Sequence, residues 1–140
     1  MKYAQIGQFL ARLEQLRPMR AFLEQFCAQT AVPRTACLRL NLVLEELFTN
    51  TVKHGHRGDC DAPVWIALSL ENAALQLTYE DKAPAFNPFA RLTEQPAPDV
   101  TLSMRKIGGL GVLLTKELAS SRDYAYLFGR NRIRLTLAPT

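Results

Sequence analysis

The chain has 140 residues, 48% of them apolar and 21% charged, with a formal net charge of +4. That length fits one domain, residues 1–140, with a core that needs no metal or disulfide staple, and no apolar run approaches the ~20 residues of a membrane span. The charge admits an anionic ligand or partner without arguing for nucleic acid, and the polar N-terminus MKYAQIGQFLARLEQ lacks the apolar core of a signal peptide, so a cytoplasmic protein is expected.

Residues 8–29 read as helix, with Phe9, Leu10, Leu13 and Leu16 as one stripe and Phe22, Leu23, Phe26 and Cys27 as a second. Pro18 implies a kink or a fresh start near Arg17. Pro33 opens a second helix, with Thr35 as a candidate N-cap. Along it Leu40, Val43, Leu44, Leu47, Phe48 and Thr51 recur at helical spacing and predict a buried stripe. Gly55 and Gly58 end it. Cys27, Cys37 and Cys60 are odd in number and far apart, with no CxxC pair or zinc spacing, so free thiols in a reducing compartment are expected.

Val64, Ile66, Leu68 and Leu70 alternate with polar or small residues as a strand does, and Leu75, Leu77 and Tyr79 alternate after a turn at residues 71–73. Residues 82–106 contain Pro84, Pro88, Pro96 and Pro98, which exclude regular structure through most of the segment. A loop of that length is usually functional or disordered. Val112, Leu113, Leu114 and Leu118 predict a helix starting near Gly108 or Gly111. Tyr124, Tyr126 and Phe128 form the first arm of a last hairpin, Gly129 and Arg130 its turn, and Ile133, Leu135 and Leu137 the second arm. Helices first, then two hairpins separated by a helix, predict an α/β two-layer sandwich. Its sheet is mixed, mostly antiparallel, and covered on one face by helices.

Three stretches carry candidate chemistry. In residues 42–55, LVLEELFTNTVKHG, the residues Glu46, Asn50 and His54 are spaced four apart on a face beside the buried stripe, with Lys53 at its edge. In residues 79–88, YEDKAPAFNP, Asp81 ends an apolar strand, and a carboxylate there accepts hydrogen bonds from a ligand's amino group. In residues 106–111, KIGGLG opens a helix, where glycines and orphan N–H groups suit an anion such as phosphate. Each has a plain alternative: a solvated helix flank, a turn aspartate, a hinge.

The order ELFTNTVKHG, EDKAPAFNP, RKIGGLGVLL, then a strand with Gly129 and Asn131, resembles the GHKL ATPase superfamily. Within it the chain is similar to the small bacterial anti-sigma-factor serine kinases, from about Arg20 onward. The resemblance implies the histidine-kinase-like ATP-binding fold and Mg²⁺-ATP as cofactor. Glu46 would then orient or deprotonate the attacking hydroxyl and Asn50 would ligate Mg²⁺, with Lys53, His54 and Arg105 on the phosphate side. Asp81, with Ala83 and Phe86, would hold adenine. Gly108, Gly109, Leu110 and Gly111 would cradle the phosphates under an ATP lid of about residues 85–107. Many relatives have Asp-x-Gly where this chain has Asp81-Lys82-Ala83.

The implied function is an ATP-dependent serine/threonine kinase that is also an anti-sigma factor. Its partners would be a sigma factor and a small STAS-type antagonist that it phosphorylates, and it would be a homodimer without direct nucleic-acid or membrane contact. A nucleotide-binding regulatory module of the same fold with little catalysis is the alternative. A basic nucleic-acid-binding protein, resting on a pI near 9.2 and the C-terminal arginines, ranks below both.

Overall fold

Alternation, not helical spacing, organises the N-terminus. The computed structural model describes residues 2–89 and 119–137, and its first element is a strand, β1 (Lys2–Leu10). This corrects the helix expected from residue 8. Tyr3, Gln5, Gly7 and Phe9 point toward the core, and two of those four positions are glutamine and glycine, so the buried face carries no apolar signature. Gly7 is there for space. A Cβ on it would sit 2.8 Å from Phe22 Cε1. Gln5 Nε2 donates to the Phe22 carbonyl at 2.7 Å.

Helix α1 (Leu16–Thr30) buries Met19, Leu23 and Phe26, with Pro18 in its first turn, where no intrahelical N–H is lost. Ala31, at φ 55, caps it. The chain turns at once into α2 (Arg34–Asn50), whose N-cap is Pro33 rather than Thr35. This short link brings Cys27 and Cys37 together with Cα atoms 6.3 Å apart, and they are disulfide-bonded. The expectation of free thiols therefore holds for Cys60 alone. Separation along the sequence was a poor guide, because a helical hairpin folds the two positions across from each other. All six residues of the predicted α2 stripe are buried.

Four further strands follow: β2 (Pro63–Glu71), β3 (Ala74–Asp81), β4 (Ala119–Leu127) and β5 (Arg130–Leu137). They form one sheet in the order β1-β2-β3-β5-β4, with every pairing among them antiparallel. Val64, Ile66, Leu68, Leu75, Leu77, Ile133, Leu135 and Leu137 project from one face and pack with α1 and α2 residues in a single apolar cluster. The expected two-layer α/β architecture is thus observed. Segments expected between residues 90 and 118, including the helix after the glycines, lie outside the described residues. On the opposite sheet face Arg130 stacks on Trp65, 3.6 Å from the ring centroid, and pairs with Glu80 at 3.1 Å. Arg132 pairs with Asp123 at 3.5 Å.

Both described hairpins close on two-residue loops with positive φ, the geometry that matches strand twist. The β2–β3 loop is Asn72 (φ 51) and Ala73 (φ 65). The β4–β5 loop is Phe128 (φ 54) and Gly129 (φ 77), one residue earlier than the sequence predicts. Alanine in the left-handed region costs about 1 kcal/mol. Ala73→Gly is therefore expected to raise the urea midpoint, with an unchanged slope, by an increment worth about 0.5–1 kcal/mol. No change would mean that the loop carries no strain.

Candidate functional site

Helix α2 does not end as an α-helix. After Asn50 the chain widens into a five-residue π-helical turn, Thr51–Gly55, and His56 N–H bonds Thr51 O at 2.9 Å. Such turns are rare and recur at functional sites. Glu46 and Asn50 lie one α-turn apart and are half-buried, while Lys53 and His54 sit on the widened turn and are exposed. The change of pitch carries His54 off the line that Glu46 and Asn50 define.

The π-turn meets the end of β3. A Cβ placed on Gly55 would lie 2.7 Å from Ala83 Cβ, so only glycine lets the two segments close this far. Ala83 is buried and is not among the residues at positive φ. The alanine two residues after Asp81 is therefore unstrained here, and its methyl fills space that Gly55 leaves.

Asp81 is the hub of the contact, 7% exposed at the end of β3. Thr51, the residue after Asn50, reaches its Oδ2 at 2.7 Å and also lies 2.6 Å from the Tyr79 hydroxyl and 3.0 Å from Leu47 O. A hydroxyl has one proton. Tyr79 donates to Thr51, and Thr51 donates to the carboxylate, its shortest acceptor. Asp81 Oδ1 accepts from Ala83 N–H at 3.2 Å and from Asn131 Nδ2 at 2.9 Å. Of the roughly four acceptor positions on a carboxylate, three are taken, and one remains on Oδ2.

Asn131 holds the far side. Its Nδ2 also donates to the carbonyls of Ala83 at 3.0 Å and Pro84 at 3.2 Å. Its Oδ1 accepts from the Tyr124 hydroxyl and from Phe86 N–H at 3.0 Å. Three acceptors surround one end of the amide and two donors the other, which fixes its orientation. Burial raises the pKa of Tyr79 well above the ordinary tyrosine value, with the Asp81 charge adding to it, so its proton stays in place as a donor. Burial likewise raises Tyr124.

Of the residues singled out in the sequence, the structure gathers Asn50, Asp81 and Ala83 around this contact, with Glu46 one turn back along α2. Phe86 follows on the segment that Asn131 ties down, its side chain 47% exposed. Arg105, Gly108, Gly109, Leu110 and Gly111 lie outside the described residues. Sequence reasoning passed over Thr51, Tyr79, Tyr124 and Asn131 as site residues. The signal for Thr51 and Asn131 was available: each is a polar residue in a slot whose helical or alternating neighbours are apolar.

The sequence profile described as Histidine kinase-like ATPase domain matches residues 9–137. An "Anti-sigma F factor" of Bacillus velezensis is 26% identical over 123 residues, covering 74% of this chain and 84% of that protein. A "Serine-protein kinase RsbW" of Listeria monocytogenes is 26% identical over 113 residues, covering 79% and 72%. Among solved structures, one of the RsbU and RsbW domains of a Mycobacterium tuberculosis protein superposes with a TM-score of 0.67 at 15% identity. It covers 96% of this chain, which in turn spans 32% of that longer one, and at that identity it shows the fold.

The raised Tyr79 pKa has a pH signature. An unfolded chain releases tyrosine protons near pH 10 while buried Tyr79 keeps its own, so above pH 10 the unfolded state binds fewer protons and stability falls as pH rises. Tyr79→Phe is expected to cost about 1 kcal/mol at pH 7 and to make the decline above pH 10 shallower by up to about 1.4 kcal/mol per pH unit. Urea unfolding at pH 7 and at stepped pH above 10 measures both; equal alkaline slopes would contradict the buried-donor assignment.

Proposed function

We propose that this chain, which belongs to the histidine kinase-like ATPase domain family, is an ATP-dependent serine/threonine protein kinase and anti-sigma factor. Its substrate would be a small antagonist protein of the STAS type. The observation that carries the reading is the Thr51–Asp81 hydrogen bond. It joins the helix bearing Glu46 and Asn50 to the strand-end carboxylate, so two of the three motif segments form one place.

The residues fit the nucleotide. The remaining acceptor position on Asp81 Oδ2 suits the exocyclic amino group of adenine and would repel the carbonyl that guanine carries there. The donor set also suits Mg²⁺. Among the described residues no group of three His, Cys, Asp or Glu side chains is arranged to hold a metal. Mg²⁺ in phosphoryl-transfer sites is usually held by few protein oxygens and by the phosphates themselves. Asn50 Oδ1 is the oxygen we assign to it. Held by Asn50 Oδ1, Mg²⁺ would supply neutralisation of the phosphate charge of ATP.

The chain's own groups have the following roles. Asp81 reads the base, and Thr51 and Asn131 fix its carboxylate. Ala83 and Phe86 border the base. Glu46 orients the incoming serine hydroxyl and takes its proton. Lys53, His54 and Arg105 would balance phosphate charge, Gly108, Gly109, Leu110 and Gly111 would contact the phosphates, and residues 85–107 would be the lid. The unstrained Ala83 removes one reason to prefer a weakly catalytic regulatory module. The sigma-factor partner implies a cytoplasmic location, where a Cys27–Cys37 bond is exposed to reduction; no helix among the described residues is long and apolar enough to cross a membrane.

A homodimer completes the reading, with β1 as its edge. The outward row of β1 is Lys2, Ala4, Ile6, Gln8 and Leu10, with one charge and no proline, and Ile6 is 77% exposed. An unprotected edge of this kind invites a further strand. Antiparallel pairing of two copies about Ile6, the midpoint of β1, would cover that side chain in both. Sedimentation of the wild type is expected to give a dimer and Ile6→Lys a folded monomer; a monomeric wild type or a dimeric variant would contradict this edge.

Transfer of labelled phosphate from ATP to purified STAS-type antagonists tests the central reading. Glu46→Ala is expected to bind Mg-ATP within about twofold of wild type while losing at least ~100-fold in transfer. Asp81→Asn, checked for folding, is expected to lose the preference for ATP over GTP. Tight ATP binding with both substitutions silent would overturn the assignment.

A further inference from the structure

The two hairpin loops of the sheet have the same backbone geometry and opposite residue choices. At the first loop position the β2–β3 hairpin has Asn72, which tolerates left-handed φ, and the β4–β5 hairpin has Phe128 at φ 54. Phe128 is also 98% exposed. A phenyl ring there is unfavourable for the fold twice over, through its backbone conformation and through apolar surface left in water. The two residues before it are also partly exposed, Leu127 at 44% and Tyr126 at 46%, on opposite faces of the sheet.

The location of the Phe128 ring gives it a purpose. Tyr126 stands directly across from Asn131, and Asn131 across from Asp81. The Phe128–Gly129 loop therefore projects from the sheet end that carries the candidate nucleotide site, about 7 Å beyond Asn131 at the rise of a strand. Asn131 also ties Phe86 N–H to this end. The hairpin carries Arg122, Arg130, Arg132 and Arg134 against Asp123; Arg130 and Arg132 are already paired with Glu80 and Asp123, so the net cationic charge lies along the arms of the hairpin, behind the apolar tip.

We propose that the β4–β5 hairpin tip, with Phe128 as its anchor, is the docking element for the protein substrate. The substrate would present an acidic surface with an apolar pocket. This rests on the kinase reading above and extends it: Asp81 and Glu46 act on nucleotide and hydroxyl, whereas Phe128 selects which protein supplies the hydroxyl. An aromatic anchor that becomes buried in a partner's pocket is the usual centre of a binding hot spot, and net charge along the hairpin favours an acidic partner.

The test uses the full-length chain and the purified STAS-type antagonist that the wild type phosphorylates. Phe128→Asn is expected to raise KM for that antagonist at least about tenfold. KM for ATP and kcat at saturating antagonist should stay within about twofold, and the melting temperature should hold or rise because the loop strain is relieved. Phe128→Trp, which restores an aromatic anchor, is expected to recover most of the lost KM. An unchanged antagonist KM in Phe128→Asn overturns the docking assignment while leaving the kinase reading intact. A fall in melting temperature or in ATP affinity also overturns it, since the ring would then be packing within its own chain. A wild type that phosphorylates no antagonist takes down the kinase reading and this inference together.

Discussion

A single buried carboxylate holds the site side of this protein together. Asp81 receives Thr51 from the end of α2, Asn131 from β5 and the backbone of Ala83, so a helix, two strands and a loop converge on two oxygen atoms. Burying such a group is costly unless it is hydrogen-bonded, and here three donors meet it. The same bonds that make the burial tolerable also aim the remaining acceptor position. In the proposed reading, stability and recognition would be the same arrangement seen from two sides, with Thr51 and Asn131 positioning the carboxylate that meets the base.

The geometry around Asp81 follows from two local departures from regular structure. The π-turn at Thr51–Gly55 changes the pitch after Asn50, which leaves Thr51 on the buried side while Lys53 and His54 face out. Gly55 then allows Ala83 to approach closer than any side chain would permit. Ala83, two residues after the aspartate, is accommodated without strain, because the space is provided from the helix side.

Much of this was legible in the residues, and the exceptions have physical causes. The stripe of α2 was plain because all six positions are buried, five of them in the apolar cluster shared with the sheet. Strands β2, β3 and β5 alternate cleanly for the same reason. Strand β1 was hidden because its inward slots hold Gln5 and Gly7 while Ile6 faces outward, so the hydrophobic pattern is inverted at its centre. The disulfide was hidden because pairing depends on a three-residue link between helices and not on cysteine spacing. Asn50 was legible from its four-residue spacing with Glu46 and His54, and Asp81 from its place at the end of an apolar strand, while Ala83 came in only through the resemblance. The residues that hold Asp81 were missed because Thr51 reads as part of an apolar stripe and Asn131 as part of an alternating strand. Their chemistry exists only once those two slots face each other.

Whether Asp81 reads an adenine is the property on which every proposed role in the site depends. Calorimetric titration of the wild-type chain with Mg-ATP and with Mg-GTP, under one salt and pH condition, measures that directly. The predicted result is saturable binding of ATP at one site per chain, with GTP at least about tenfold weaker, the factor expected when one buried hydrogen-bonding match is replaced by a carbonyl facing a carboxylate. Equal affinity for the two nucleotides, or no binding of either, would contradict it.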